Sequence, residues 1–584
     1  MNRALGTLAW CLVEMSFAAM PVLSAQQATS NPASIAPAVD ARPKEAQQLF
    51  RDGKFNNALD LYEQIIATGK ASATTYAEFT RVYLKLNLPD HALEAALNAT
   101  RLDSSLPAAH SALGEVYLRR GKLVEARTEF LSLVQKGQAD ARAYFGLFRL
   151  YQAAYEFEKA NDAIIAAHKL DPSDLDIQWA WLQTIPRPEQ VQVLASMVAS
   201  PLNYFSNGEK DRIRRQLALT KDLIEHPDRT CSLAAQPPAK PNWGPVRVNG
   251  HDAVFITSID DAGIVINSKI AKKLGVQPIA DAEINDPDSQ NPADGYYGRL
   301  TPDLDQGIGR GEPYAGLDSS LAVFIPKGYV GFVSSIKIGK IEFQNCYVKV
   351  VDPAYKLNNS NQLDGILGWP TLSPYLTQID MANDKFRLIP LPPPPSSAER
   401  ALMAVGTVTG SNPGFQNLNR EPSSHLWQQI FHFGSRYLVP ASVGQSSAGL
   451  FRISFGGSID SSSAVGPELA RQAGLVTVPG RKDGPLTHYI PPNYFFGPAD
   501  LSFGIFVERQ TQIPMYFPQK DSEEAGVEIS GILALETLMF KRPERAVITI
   551  DFRDGLINFG CNSTETDECK DKSRLNTRVP SLGW

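Results

Sequence analysis

A chain of 584 residues is too long for one hydrophobic core, so several domains are expected. Its composition, 43% hydrophobic and 20% charged, is that of a globular protein and not of a disordered or fibrous one. The formal charge of −6 gives no electrostatic reason to expect nucleic acid as a partner, because phosphate binding needs a basic face.

Residues 1–25 read as a signal peptide. Arg3 supplies the positive start, an apolar run follows from Ala4 to Leu23, and Ser24 and Ala25 offer a small-residue cleavage point. Glu14 interrupts the run, and an uncleaved anchor is the other reading of the same stretch. Export to the periplasm or out of the cell is expected, with no stable membrane insertion after cleavage. No later run of about 18 apolar residues exists. Cleavage would remove Cys11 and leave Cys231, Cys346, Cys561 and Cys569, an even number for an oxidising compartment. Cys561 and Cys569 stand close together in a polar tail and are predicted to pair; Cys231 and Cys346 are the second candidate disulfide. None lies in a Cys-x-x-Cys spelling, so no metal site is expected, and no cofactor motif is found either.

Residues 26–42, rich in Gln, Ser, Ala, Thr and Pro, read as a flexible linker. A helical repeat follows over 43–174. Ala58, Ala92, Ala126 and Ala160 are each 34 residues apart, and Tyr83, Tyr117 and Tyr151 keep the same step. In the third unit the spelling is Leu113-Gly114-x-x-Tyr117, then Ala126 and Phe130. The pattern resembles the tetratricopeptide repeat, a helix pair that buries its apolar face only by stacking on its neighbours. That resemblance implies an all-α solenoid of about four repeats, with a concave face that takes a protein or peptide. Residues 175–230, with Trp179, Trp181 and Leu182 as apolar anchors, are predicted to be capping helices that close the array.

Helical periodicity stops at Cys231, and short β-branched and aromatic runs punctuated by Gly, Pro and Asn take over. Val246-Arg247-Val248-Asn249-Gly250, followed by Val254-Phe255-Ile256, predicts a hairpin on an Asn-Gly turn. The β pattern fills 231–391. A Pro-rich linker spans 392–424 and begins Pro392-Pro393-Pro394-Pro395. A second β-rich segment spans 425–560, and a polar tail covers 561–584.

The two β segments share a plan. Ile264-Val265-Ile266-Asn267 leads into a helical Ser268–Gly275 in the first; Ser461–Val465 leads into a helical Pro467–Gly474 in the second. Each ends on a Gly-containing apolar motif and a final strand: Asp364-Gly365-Ile366-Leu367-Gly368-Trp369 with Thr377–Asp380, and Ser530-Gly531-Ile532-Leu533-Ala534-Leu535 with Ile548–Asp551. This plan resembles the retropepsin-like aspartic peptidases, in which a strand ends in Asp-Thr-Gly-Ala-Ser and a later apolar-apolar-Gly segment crosses beneath it. The resemblance implies two mainly-β acid-protease-like lobes around one cleft, as in pepsin-like enzymes.

The catalytic positions depart from that family. Thr257-Ser258-Ile259-Asp260-Asp261-Ala262-Gly263 stands where the first catalytic loop would be and puts Ser258 at the Asp position. Ser454-Phe455-Gly456-Gly457-Ser458 matches the second loop, again with Ser at the Asp position. Peptide hydrolysis by this fold needs two carboxylates that share a proton and hold a water. A serine hydroxyl cannot draw a proton from that water near neutral pH. The reading is therefore a pseudoenzyme: a peptide- or protein-binding double lobe with no intact dyad. The alternative is an active aspartic endopeptidase using Asp260 or Asp261 in a shifted register, with Asp460 the nearest carboxylate in the second lobe. That shift would turn every strand side chain to the other face, which favours the serine register. The long polar insertion over 285–315 stands where the family carries a flap, and Tyr296 and Tyr297 are its candidate ligand contacts, with Gly456 and Gly457 across the cleft. Asp380, Asp551 and Asp554 are read as strand-end or turn residues, and His425 and His432 as surface or packing residues.

Overall fold

The computed structural model describes residues 41–201, 203–234, 245–259, 263–284, 328–351, 355–357, 361–380 and 385–391, and shorter stretches between 427 and 560. Among the described residues no helix is long and apolar enough to cross a membrane. The 1–25 segment, the 392–424 linker without its neighbours and the 561–584 tail, with Cys561 and Cys569, lie outside them.

Four helix pairs open the described chain: α1 (Arg42–Arg51) with α2 (Phe55–Ala67), α3 (Ala73–Lys85) with α4 (Pro89–Leu102), α5 (Pro107–Arg119) with α6 (Leu123–Gln135), and α7 (Ala141–Ala153) with α8 (Phe157–Leu170). Local chemistry sets their starts. The Ser72 hydroxyl accepts the Thr75 amide at 3.1 Å, and the Asp140 carboxylate accepts the Ala143 amide at 2.8 Å. Pro89 and Pro107 occupy first turns, where a missing amide hydrogen costs nothing. Ala58, Ala92, Ala126 and Ala160, on the second helix of each pair, are at most 2% exposed, so the periodic alanines are the points where helices touch. Phe130 of α6 is fully buried, and its ring fills the space beside Gly114 of α5 and Gly146 of α7. A methyl group at either glycine would collide with that ring.

The next segment does more than cap the last pair. It runs through α9 (Leu175–Trp181), a 3-10 turn (Leu182–Thr184), α10 (Arg187–Ala199) and α11 (Asn207–Glu225), and it reaches back to the first pair. Tyr204 makes edge-on ring contacts with Phe50 at 6.1 Å and with Phe55 at 5.7 Å. Asp174 and Asp176 at the start of α9 pair with Arg81 and Lys85 of α3. Ion pairs and an aromatic cluster thus hold the segment against the first two helix pairs. In its second half α11 packs on a sheet, where Ala218 shares a cluster with Ile279, Ala282 and Val330, and Tyr347 donates to Asp222 at 2.6 Å.

That sheet has nine strands and belongs to the first β region. The Asn-Gly turn forms as predicted, with both Asn249 and Gly250 at positive φ and Val248 paired to His251. The returning strand is His251–Ala253 and not Val254–Ile256; Phe255–Ser258 leaves the hairpin to pair in parallel with Gly365–Gly368. The Asn249 side chain donates to the Leu274 and Gly275 carbonyls and accepts the Ser334 and Ser335 amides, which ties the turn to two other elements. Cys231 and Cys346, 115 positions apart, form a disulfide that joins the end of the helical part to this sheet.

The second β region holds an eight-stranded sheet. A third sheet of five strands mixes both regions: Tyr375–Asp380 of the first pairs with Val547–Asp551 of the second. Ile259 and Trp369, each 1% exposed, pack in one cluster with Val439, Phe451 and Leu533 of the second region. The array is joined to the same region. Its core runs from Phe130 and Phe148 into Phe431, Leu450 and Val527.

Candidate functional sites

Two places concentrate distinctive chemistry. The first repeats in both β regions. Gly365–Gly368 pairs in parallel with Phe255–Ser258 and antiparallel with Ile264–Ile266; Gly531–Ala534 pairs in parallel with Phe451–Ser454 and antiparallel with Ala464–Val465. The registers coincide, with Gly368 opposite Ser258 and Ala534 opposite Ser454. Gly365 and Gly531 are required by close approach: a methyl group on either would strike an aromatic ring (Phe255 or Phe451) and a carbonyl (of Val265 or Ala464). The Asn267 amide donates to the Asp364 carbonyl at 2.9 Å and the Gly466 amide to the Ser530 carbonyl at 2.7 Å, so even the flanking bonds match. One difference lies at the strand ends. The Gly368 amide donates to the Gly263 carbonyl at 2.8 Å, whereas the Ala534 amide donates to the buried Ser463 hydroxyl at 3.2 Å.

Ser454 is half-buried at the end of its strand, and Ser258 ends the equivalent strand. Asp260, Asp261, Asp460, Gly456, Gly457, Tyr296 and Tyr297 lie outside the described residues. Asp551 is fully buried, and its carboxylate accepts the Arg553 and Asp554 amides, which makes it a turn residue. His432 is a packing residue, stacked on Tyr437 at 4.7 Å.

The second place is a chamber of about 940 Å³ inside the helical part. Sequence periodicity did not reveal it, because its walls come from segments far apart in the chain. Six cations (Arg81, Lys85, Arg119, Arg142, Arg149 and Arg212) line it, against the acids Glu115, Asp176 and Glu209. Phe145, Phe148, Trp179 and Phe205 supply apolar wall, and Gly526 of the second β region closes one side.

The charges divide into two groups. Arg142 donates to Glu115 and Asp174, Arg81 reaches Asp174 at 2.8 Å, and Lys85 reaches Asp176 at 2.8 Å. Tyr204 adds a hydroxyl to Asp176 at 2.9 Å. Burial pushes the Asp176 carboxyl up, but the Lys85 ammonium and the Arg142 guanidinium outweigh it and hold the group below the usual carboxylate range. Asp174 is lowered in the same way, by Arg142 and Arg81 against burial. It also caps α9 by accepting the Asp176 and Ile177 amides. Each carboxylate of this network meets a cation.

Two of the remaining cations reach across to the second β region. Arg149 donates to the Gly526 carbonyl at 3.0 Å and Arg119 to the Ser522 carbonyl at 2.8 Å. Burial brings the Arg149 guanidinium down to about 10, the attraction of Glu115 offsetting this only in part. Arg212 is exposed on α11 and points at the same space.

No family model matches the chain. A curated relative, the inactive TPR repeat-containing thioredoxin TTL3 of Arabidopsis thaliana, is 28% identical over 124 residues, which is 21% of this chain and 18% of that protein. The chain thus spans under a fifth of that relative's length. Among solved structures, a tetratricopeptide repeat protein from Parabacteroides merdae is 14% identical with a TM-score of 0.23, covering 32% of this chain and 76% of its own. The pilF protein of Pseudomonas aeruginosa is 14% identical with a TM-score of 0.23, covering 32% of this chain and 85% of its own. The 34-residue register of buried alanines and the match to TTL3 agree: residues 42–199 form a helical array of tetratricopeptide type, followed by a mainly-β region of several sheets.

Proposed function

We propose that this chain is an exported peptide- or protein-binding molecule, in which a tetratricopeptide array is fused to two aspartic-peptidase-like lobes that have lost their acid pair. One observation carries the reading. The same strand crossing occurs in both β regions, and the residues at its equivalent ends, Ser258 and Ser454, are hydroxyls. In the peptidase arrangement the groups at those ends must alternate as base and acid toward one water. Two serines would hold a water or a peptide carbonyl by hydrogen bonds and leave it unactivated. The joint sheet of Tyr375–Asp380 with Val547–Asp551 supports two lobes working as one unit. Tetratricopeptide-type repeats support protein binding as the role of the array.

The test is digestion of an unfolded protein at acid pH, run with and without an aspartic-peptidase inhibitor, alongside retention of the same unfolded protein by the immobilised full chain. Retention without cleavage is expected. Cleavage that is lost on Asp261→Asn and kept on Ser258→Ala would replace this reading with an active peptidase in the shifted register.

A further inference from the structure

The crossing strands of the two β regions match in register but not in how the chain enters them. In the first region it comes to Gly365–Gly368 from a hairpin, Asn361–Leu363 paired with Tyr355–Leu357. In the second it comes to Gly531–Ala534 from residues 525–530, and the helical array holds that approach. Val527 and Ile529 are fully buried in one cluster with Phe130 and Phe148. The end of α5 leaves carbonyls that no further helical turn can use, and one of them, that of Arg119, accepts the Glu528 amide at 2.6 Å. Gly121, at positive φ, lets the two backbones come together: a methyl group there would strike the Glu528 carbonyl.

Side chains add to this grip. Arg119 donates to the Ser522 carbonyl at 2.8 Å and also to the Asn87 side chain, Arg120 stands 3.5 Å from the Glu528 carboxylate, and Arg149 donates to the Gly526 carbonyl at 3.0 Å. The Ser522 hydroxyl in turn accepts the Ile529 amide at 2.9 Å. The next bonds belong to the crossing itself. The Ser530 amide donates to the Leu450 carbonyl at 2.7 Å, Gly531 lies opposite Phe451, and Ala534 lies opposite Ser454. Leu450 packs in the array's cluster while Phe451 and Ile453 pack in that of the second β region, so the strand Gly449–Ser454 contributes to both cores. A continuous run of hydrogen bonds and packed side chains leads from α5 and α7 to Ser454.

We propose that the array positions the strand end at Ser454 through residues 525–530, with Arg149 and Glu528 as positioning residues, so that what fills the chamber is felt at Ser454. Arg149 and Gly526 both line the chamber, and a group seated against them bears directly on the approach to the crossing. The effect is one-sided, because the equivalent Gly365–Gly368 is entered from a hairpin of the first region. Its functional consequence rests on the reading of Ser454 as a cleft position, whereas the coupling itself is measured without any cleft ligand.

The test is hydrogen exchange of the full chain read by mass spectrometry, with Gly365–Gly368 as the internal reference for Gly531–Ala534. Arg149→Met keeps much of the side chain's bulk and removes its donors; Glu528→Gln removes the charge beside Arg120. Each is expected to speed exchange at Gly531–Ala534 about tenfold while Gly365–Gly368 changes less than about twofold. Gln152→Trp stands in for an occupant, since Gln152 lines the chamber from the same helix as Arg149, and is expected to change exchange at Gly531–Ala534 about fivefold with the reference unmoved. Circular dichroism checks folding, and if Arg149→Met does not fold the other two variants decide. Equal acceleration of both crossings would mean a general loss of stability, and no change at either would mean that the crossing holds itself; both results overturn the proposal. A Gln152→Trp chain that exchanges as the parent does would overturn the link to the chamber. None of these results bears on the digestion and retention experiment, so the two readings fail separately.

Discussion

At the residue scale, stability is concentrated where one side chain serves two repeats. Phe130 is fully buried between Gly114 of its own pair and Gly146 of the next, so its ring is the contact that transmits stacking along the array. Removing it leaves a cavity that helices on both sides must collapse to fill. Phe130→Ala is expected to lower the unfolding free energy by about 3–5 kcal/mol, read as a reduced urea midpoint of the full chain. A loss under about 1 kcal/mol would mean that the ring is not the shared wedge. The Asp176 cluster is of another kind. It is not apolar, and its worth lies in specificity, because a returning helix with two acids at its start can settle only where Arg81, Lys85 and Arg142 converge. Gly365 and Gly531 show the same economy in the β regions, where an aromatic ring and a carbonyl occupy the space of a side chain at equivalent positions.

At the element scale, what the sequence revealed was local or periodic. The 34-residue step located the helix pairs because close helix contact demands a small residue once per repeat, and Ala92 and Ala126 are fully buried for that reason. Asn249-Gly250 located a turn because both residues tolerate positive φ. The repeated apolar-Gly motifs located the strands that pair with Phe255–Ser258 and Phe451–Ser454. What stayed hidden was long-range. Nothing periodic says that Asp174 will meet Arg81, 93 residues earlier, or that Val254 will leave the hairpin. The chamber was hidden for the same reason, since its cations read as ordinary helix-surface charges until the returning segment covers them. The Cys231–Cys346 pairing was readable only as arithmetic on an even cysteine count; the structure gives it a role, clamping the exit of α11 to the strand Ile341–Val351. Because the bond closes a loop of 115 residues, it restrains the unfolded chain strongly. Replacing both cysteines with serine is expected to cost about 2–5 kcal/mol by urea denaturation, and an unchanged midpoint would show that the clamp adds nothing beyond the sheet.

At the scale of the whole molecule, the array and the second β region share one core, so they should loosen together. His432 sits at their junction. Its ring stacks on Tyr437 at 4.7 Å, and the ring of Tyr155, from the turn between α7 and α8, lies 6.4 Å from it. Its Nε2 is buried with no hydrogen-bond partner among the described residues, and burial lowers the imidazole below its usual pKa. The groups facing it are two phenols, both held neutral by burial, with Asp551 acting on Tyr155 from beyond. Among the described residues, a proton arriving on His432 would therefore meet no carboxylate in an ion pair. The sign of the effect follows. The folded state binds this proton less readily than the unfolded chain, so the contribution of neutral His432 is complete above about pH 6.5 and declines as pH falls toward the lowered folded value. His110 works in the opposite sense: burial pulls it down, but the Ser104 carbonyl and Glu129 raise it overall, so its contribution is complete below about pH 6.5 and fades as pH rises. The two are separable by mutation. His432→Phe keeps a flat ring in the stack and removes the proton, so it is expected to flatten the fall in melting temperature between about pH 7 and pH 5 that the parent shows. Hydrogen exchange should place the parent's acid-induced loosening in α7 and in the strand Gly449–Ser454 at once, because their side chains belong to a single cluster. Acid loosening of the array alone, with the strand still protected, would mean that the shared core does not couple them.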